Sequence, residues 1–382
     1  MRTDPFGAPS AQLAERRGGK GRLVGVDAAR ALALAGMMAV HMLPSRGEDG
    51  GPTASYLVFG GRSSALFAVL AGVGLALATG RSTPPRGRDR LSMASGTLVR
   101  AAVLAMIGFV LGGLGSPVAV ILVHYGMLFA VGALFLGFRP GQLVAIAAVW
   151  WVAAPAVSHL IRSGISDPPI SVPTFESLAD PLTLALDVGL TGYYPVFSWV
   201  AFLLVGMAAG RMDLGSTKVA STIAVAGVAL AIGAWALSSF LLGPLGGVED
   251  LEGPVPIQFF GTTPTSSWWY LAVMAPHSGT PFDLAHSAGT ALGVLGIALL
   301  LTRSAQPVWR AVAAAGGMTL TLYSLHVVAL ALEVGPTEPA TRYFIHLVTL
   351  FALASVWRFA VGRGPLERLT AELAGQARQL AA

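Results

Sequence analysis

The chain has 382 residues, 54% hydrophobic and only 11% charged, with a mean hydropathy of +0.69. A globular chain carries roughly 25% charged residues, so soluble enzymes, disordered tails and fibrous proteins are excluded and an all-α, polytopic transmembrane helix bundle is expected. The net charge of +5 and pI near 9.9 match a nucleic-acid binder in number only, because the charges are placed differently.

In chain order, residues 1–22 are an Arg-, Gly- and Pro-rich basic tail, expected on the cytoplasmic side. A span needs about 20 apolar residues, and ten segments qualify: 24–43, 58–79, 93–112, 118–137, 142–161, 191–210, 219–242, 284–302, 311–332 and 342–361. The first is too long, and too charged at Asp27 and Arg30, for a signal peptide. Residues 363–382 form a second cytoplasmic tail. With no Cys there is no disulfide framework and no thiolate ligand or nucleophile. Lys occurs only at 20 and 218, and the excess of Arg suggests a GC-rich bacterial gene and hence a bacterial plasma membrane.

Lys and Arg fall in alternate connections. The stretches 1–23, 80–92, 138–141, 211–218, 303–310 and 362–382 hold seventeen, whereas the connections between them hold only Arg46 and Arg162. This positive-inside asymmetry predicts about ten spans with both termini cytoplasmic. The opposite loops carry twelve Asp or Glu, so the high pI reports orientation and no nucleic-acid partner is expected. Two of those loops, 162–190 and 243–283, exceed ordinary connection lengths. The second holds Gln258-Phe259-Phe260 and Trp268-Trp269-Tyr270, which suit either an interfacial aromatic belt or stacking on a sugar.

Ionisable groups inside spans are costly and mark functional candidates. The first span carries Asp27 and Arg30, spaced i, i+3 for an ion pair, and His41 eleven residues beyond Arg30 on the same face. Imidazole is suited to proton transfer near neutral pH, as a general base or a transient acyl carrier. His124 and Tyr125 lie at about the depth of His41, and Arg62 lies in the outer half of the second span. Tyr323 and His326 are i, i+3 in the ninth span, and His277 and His286 flank the start of the eighth. No P-loop, nucleophile elbow or H-E-x-x-H helix occurs, and no metal is expected.

The run from Arg22 through Asp27 and Arg30 to His41 resembles the first-helix signature of integral-membrane acyltransferases, the YeiB-like and heparan-α-glucosaminide N-acetyltransferase-like groups. Its Arg-x10-His spacing is similar to that of the acyltransferase-3 family. Gly61-Arg62 to Gly72, Tyr125-Gly126 to Phe129, Tyr194 to Trp199, Leu204 to Arg211 and Thr319 to His326 also look similar, in the family's order. Two departures stand out: Ala31 follows Arg30 where Gly is common, and no histidine lies at 44–61, where the lysosomal enzyme has its catalytic one.

The resemblance implies a transmembrane acyltransferase domain over 23–362. It would move an acyl group, typically acetyl, from cytoplasmic acyl-coenzyme A to an extracytoplasmic glycan, glycolipid or related hydroxyl or amine acceptor. His41 would be catalytic, with Asp27 and Arg30 as polar partners and His124 as the alternative histidine. Arg62, Tyr125, Tyr323, His326, His286 and Trp268 would line or support the acceptor cavity. The donor is polyanionic, so Arg30, Arg81, Arg88, Arg139 and Arg211 are its candidate contacts. The bilayer is the other partner, and a homodimer is left open. A proton-coupled transporter or flippase of a small or glycolipid substrate uses the same intramembrane charges and stays open as the alternative.

Overall fold

A computed structural model describes residues 23–166, 168–304 and 306–382; the basic tail expected at 1–22 lies outside the described residues. The helices are α1 (Val24–Met42), α2 (Ala54–Phe59), α3 (Arg62–Ala78), α4 (Gly87–Gly112), α5 (Leu122–Gly132), α6 (Pro140–Arg162), α7 (Pro181–Leu186), α8 (Val196–Gly210), α9 (Thr217–Leu242), α10 (Pro281–Leu301), α11 (Pro307–Gly316), α12 (Thr319–Ala331), α13 (Pro339–Ala360) and α14 (Pro365–Leu380). Among the described residues no strand forms, beyond an isolated bridge between Arg46 and Pro52. Pro140, Pro181, Pro281, Pro307, Pro339 and Pro365 each open a helix, where the missing N–H costs nothing.

Seven of these helices are long and apolar enough to cross a membrane: α1, the α2–α3 stretch Ala54–Ala78, α4, α6, α9, α10 and α13. Two bent pairs raise the number to nine, Pro181–Thr191 with α8 (53°) and α11 with α12 (68°). The expected span 118–137 is the short helix α5 with a 3-10 extension to Phe135. The chain is therefore a multi-pass membrane protein whose sixth and ninth expected spans are broken. The ninth breaks at Gly317–Met318, just after Gly316 presses its bare backbone onto the Asp27 carbonyl, an approach any Cβ would block.

Helices α1, α3 and α8 form the centre and are buried along most of their length, while α6, α9 and α13 turn much of their surface outward. Without a hydrophobic drive between helices in lipid, close packing needs small residues. Gly72 of α3 lies on the Leu203 carbonyl of α8, and Gly206 of α8 lies on the Val69 carbonyl of α3. Gly227, Gly289, Gly293 and Gly296 join α9 to α10 in the same way.

The connections separate the two ends of the bundle. Arg81, Arg86, Arg139, Arg211, Arg303 and Arg363 lie at or beside helix ends on one side, the arginine-rich end. The other, acid-rich end carries Glu48, Asp49, Glu176, Glu249, Asp250 and Glu338.

Candidate functional site: two cavities joined by one helix

Helix α1 lays a polar stripe across the bundle. Asp27 and Arg30 form an ion pair, Nη1 to Oδ1, at 3.3 Å. His41 follows three turns later, about 16 Å along the axis. The two ends of the stripe open on different cavities. The arginine-rich cavity, about 240 Å3, is lined by Arg30, Arg100, Tyr125, Thr319, Tyr323 and Glu367 among others. The acid-rich cavity, about 430 Å3, is lined by His41, Tyr56, Ser64, Tyr193, Tyr194, Gln258 and His277 among others. Met37 lines both, so the two cavities meet at this side chain of α1. The Tyr125 hydroxyl donates to the Ser64 carbonyl at 3.4 Å, tying a residue of the first cavity to one of the second. The Arg30 guanidinium reaches its cavity across the bare backbone of Gly74, where a Cβ would come within 2.6 Å of Nη2.

His41 is half-buried, and its Nδ1 lies 3.2 Å from Nε2 of His326, with the rings stacked at 5.4 Å. When Nδ1–H donates to His326, the lone pair of His41 Nε2 is left for the cavity, the tautomer a general base requires. His326 is fully buried on α12 and meets His346 of α13 edge to face at 5.9 Å, while His346 Nε2 donates to the Val334 carbonyl at 3.0 Å. The stretch of three imidazoles thus runs from the cavity into the bundle.

The other wall of the acid-rich cavity comes from the long loop after α9. Phe259 N–H donates to the Pro276 carbonyl and Gly261 N–H to the His277 carbonyl, both at 2.9 Å, clamping the two limbs of that loop. His277 holds a left-handed φ of +58°, uncommon for a residue with a side chain. Its ring packs against Tyr193 (4.4 Å), Tyr194 (5.6 Å) and Trp199 (6.4 Å). Burial pushes the His277 imidazole down to about 3, so it is neutral at ordinary pH. Tyr56 donates to Gln258 Oε1 at 2.6 Å, so α2 and the same loop close the cavity from opposite sides.

Of the residues singled out from the sequence, His41 and His326 are brought together, and Arg30, Tyr125 and Tyr323 share the arginine-rich cavity. Tyr323 accepts from Ile121 N–H at 3.4 Å. His124 is buried against Tyr194 at 5.5 Å, away from the lining of both cavities, and neither ring nitrogen has a partner among the described residues. Arg62 Nε donates to His286 Nε2 (3.2 Å), and His286 Nδ1 donates to the Ala231 carbonyl (3.1 Å), a pair that knits α3, α10 and α9. Trp268, in the outer loop, packs its ring against His159 of α6 at 4.5 Å, tilted by 33°.

Arg88, in the first turn of α4, and Arg139, just before α6, are exposed at the arginine-rich end, and Arg81 is half-buried in the connection between α3 and α4. Arg211 is buried, and its two Nη groups donate to the carbonyls of Thr79 (2.8 Å), Arg81 (2.8 Å) and Leu136 (2.6 Å), while its Nε has no partner among the described residues. None of these four lines the arginine-rich cavity; Arg100, from the middle of α4, does. Among the described residues no group of three or more His, Cys, Asp or Glu is placed to hold a metal.

Residues 22–243 match the family model of the catalytic part of heparan-alpha-glucosaminide N-acetyltransferase. The chain belongs to this family. It is thereby a membrane enzyme of the N-acetyltransferase type. The match to the heparan-alpha-glucosaminide N-acetyltransferase family covers α1 to α9, and so holds Asp27, Arg30, His41, Arg100 and Tyr125. His277, Tyr323, His326 and α14 come from beyond it. No curated protein is similar enough to stand as a relative.

His277, Tyr193 and Gln258 join the site through loop packing that no spacing announces, although 258–260 stand out as aromatic in a polar loop. Arg100 carries a signal the sequence does hold: an arginine in an apolar run with no acid near it in the chain.

Proposed function

We propose that the chain transfers an acyl group, acetyl in the first instance, from acyl-coenzyme A at the arginine-rich end to a sugar hydroxyl or amine at the acid-rich end. The positive-inside rule makes the first end cytoplasmic. The observation that carries this reading is the pair of cavities meeting at α1, one holding cations and the other a histidine dyad. The donor's anionic nucleotide stays with the arginines, and its thioester reaches along α1 past Met37. His41 Nε2 takes the proton from the acceptor as the acceptor's oxygen or nitrogen attacks the thioester carbonyl. The carbon–sulfur bond then breaks, and the coenzyme A thiolate leaves and recovers the proton from the imidazolium.

In this reading the chain crosses ten times, the short α5 counting as one crossing, with both termini on the donor side in a bacterial plasma membrane. The glycan or glycolipid acceptor approaches from the far side, where aromatic rings and Gln258 offer stacking and hydrogen bonds.

The test uses purified protein in nanodiscs with acetyl-coenzyme A, comparing wild type with His41→Ala. Donor binding is expected in both. Release of free coenzyme A is expected to fall at least about a hundredfold in the variant. Equal turnover in the two proteins removes His41 from the chemistry. Failure of wild type to bind any acyl-coenzyme A removes the donor.

A further inference from the structure

The C-terminal segment looks like a tail in the sequence but is built into the bundle. Leu366, Leu369, Thr370, Leu373, Ala374 and Ala377 repeat at helical spacing and give α14 one apolar face. Both ends of the helix are fastened. At its start, the Glu367 carboxylate accepts from Leu320 N–H (2.8 Å), Thr321 N–H (3.1 Å) and the Thr321 hydroxyl (2.6 Å). At its end, the Ser92 and Ser95 hydroxyls of α4 donate to the carbonyls of Arg378 (2.8 Å) and Ala377 (3.0 Å), which α14 itself leaves without partners. Between these points the Arg378 side chain and the Ala374 carbonyl pass over Gly96, where a Cβ would come within 2.7 Å of both.

So fixed, α14 forms one wall of the arginine-rich cavity: Glu367 and Thr370 line it together with Arg30 and Arg100. The charges there do not balance. Arg30 shares the cavity lining with Arg100, the Arg378 side chain packs over Gly96 one helical turn from Arg100, and Arg363 also lies within electrostatic reach. Among the described residues Arg100 makes no hydrogen bond or ion pair, and Arg378 Nε is buried without a partner. Among the described residues the one carboxylate lining the cavity, Glu367, is occupied by three donors from α12. Four guanidinium groups held near one another, two with unused donors, have the charge and the fork geometry that a phosphate-bearing anion matches.

We propose that α14 completes a phosphate-anion site in which Arg100 of α4 acts with Arg363 and Arg378 of the C-terminal segment, Arg30 standing at its inner edge. Resting on the donor assigned above, the anion is the nucleotide phosphate portion of coenzyme A. The C-terminal segment, beyond the family match, then decides donor affinity.

The experiment uses the full chain in nanodiscs of purely zwitterionic lipid, with coenzyme A as probe, and compares wild type with Arg363→Gln, Arg378→Gln and Arg100→Gln. Each glutamine variant is expected to weaken binding about tenfold, the loss of one charge-assisted contact, and to flatten its salt dependence. Arg100→Gln is also expected to unfold at a higher temperature than wild type when no anion is present, because a repelled cation has gone. It should lose the thermal shift that coenzyme A gives wild type. A second arm replaces coenzyme A with phosphatidylglycerol in the discs. Arginine-dependent stabilisation by that lipid, with no response to coenzyme A, keeps the anion site but assigns it to a headgroup, and the donor reading falls. Wild-type affinity for coenzyme A in all three folded variants, with no arginine-dependent response to the lipid, overturns the site while leaving the donor reading untouched.

Discussion

At the scale of single residues, the proposed catalysis turns on how His41 is held. His326 touches His41 but does not itself line the cavity, so it is a positioning residue. Replacing it with Leu removes the acceptor for His41 Nδ1–H and frees the ring to rotate and change tautomer. Turnover is expected to fall roughly a hundredfold with the donor KM unchanged, and His326→Gln, which keeps an acceptor oxygen, is expected to restore most of it. Steady-state kinetics of the two variants decide this; equal losses in both reduce His326 to packing. His277 makes a pH prediction. Its ordinary value is 6.5 and burial lowers it to about 3, so between those values the unfolded chain binds a proton that the folded chain refuses. Stability contributed by neutral His277 is therefore complete above about pH 7 and declines as pH falls towards 3. Wild type is expected to lose melting temperature faster than His277→Gln from about pH 7 to pH 5, and parallel slopes contradict the assignment. The stripe Asp27, Arg30, His41 is legible in the sequence because helical periodicity relates residues on one helix. The contact of His41 with His326, 285 positions away, is not.

At the scale of elements, the spans are apolar enough to be found from composition, but their breaks are set by packing. The break between α11 and α12 brings Gly317 and Thr319 to the arginine-rich cavity and aims α12 so that His326 reaches His41. A window of hydropathy reads 311–332 as one straight span, since a bend changes no residue's polarity. Gly-mediated contacts carry a stability prediction. Gly206→Ala, whose Cβ runs into the Val69 carbonyl of α3, is expected to cost about 1–3 kcal/mol. Gly233→Ala, on the same kind of apolar helix but with nothing within 4 Å, is expected to be neutral or stabilising by up to about 1 kcal/mol. Thermal unfolding of the two variants in one detergent compares them directly, and matching values would falsify the packing account.

At the scale of the whole molecule, the two-ended charge distribution predicts which surface faces which compartment. The chain has no Cys, so single cysteines can be introduced without background. Gly253→Cys, in the long acid-rich loop, is expected to react with an impermeant maleimide added to intact cells. Ala381→Cys, past the end of α14, and Gly141→Cys, at the start of α6, are expected to react only after lysis. Labelling of all three from outside contradicts the ten-crossing topology.

The sequence by itself determined that the chain is an all-helical membrane protein, which ends collect arginine, and that the first span carries the polar stripe Asp27, Arg30 and His41. These follow from composition and short-range periodicity, which act within a segment and survive without the fold. The tertiary structure alone decided the pairing of His41 with His326, the loop-borne His277 at the cavity, and the binding of both Arg211 Nη groups to three carbonyls. It also turned the supposed C-terminal tail into a cavity wall. Each of these joins residues far apart in the chain, and such contacts are fixed by which helices pack closely enough to meet. Close approach in a bilayer depends on bare glycine backbone and satisfied carbonyls, neither of which hydropathy records.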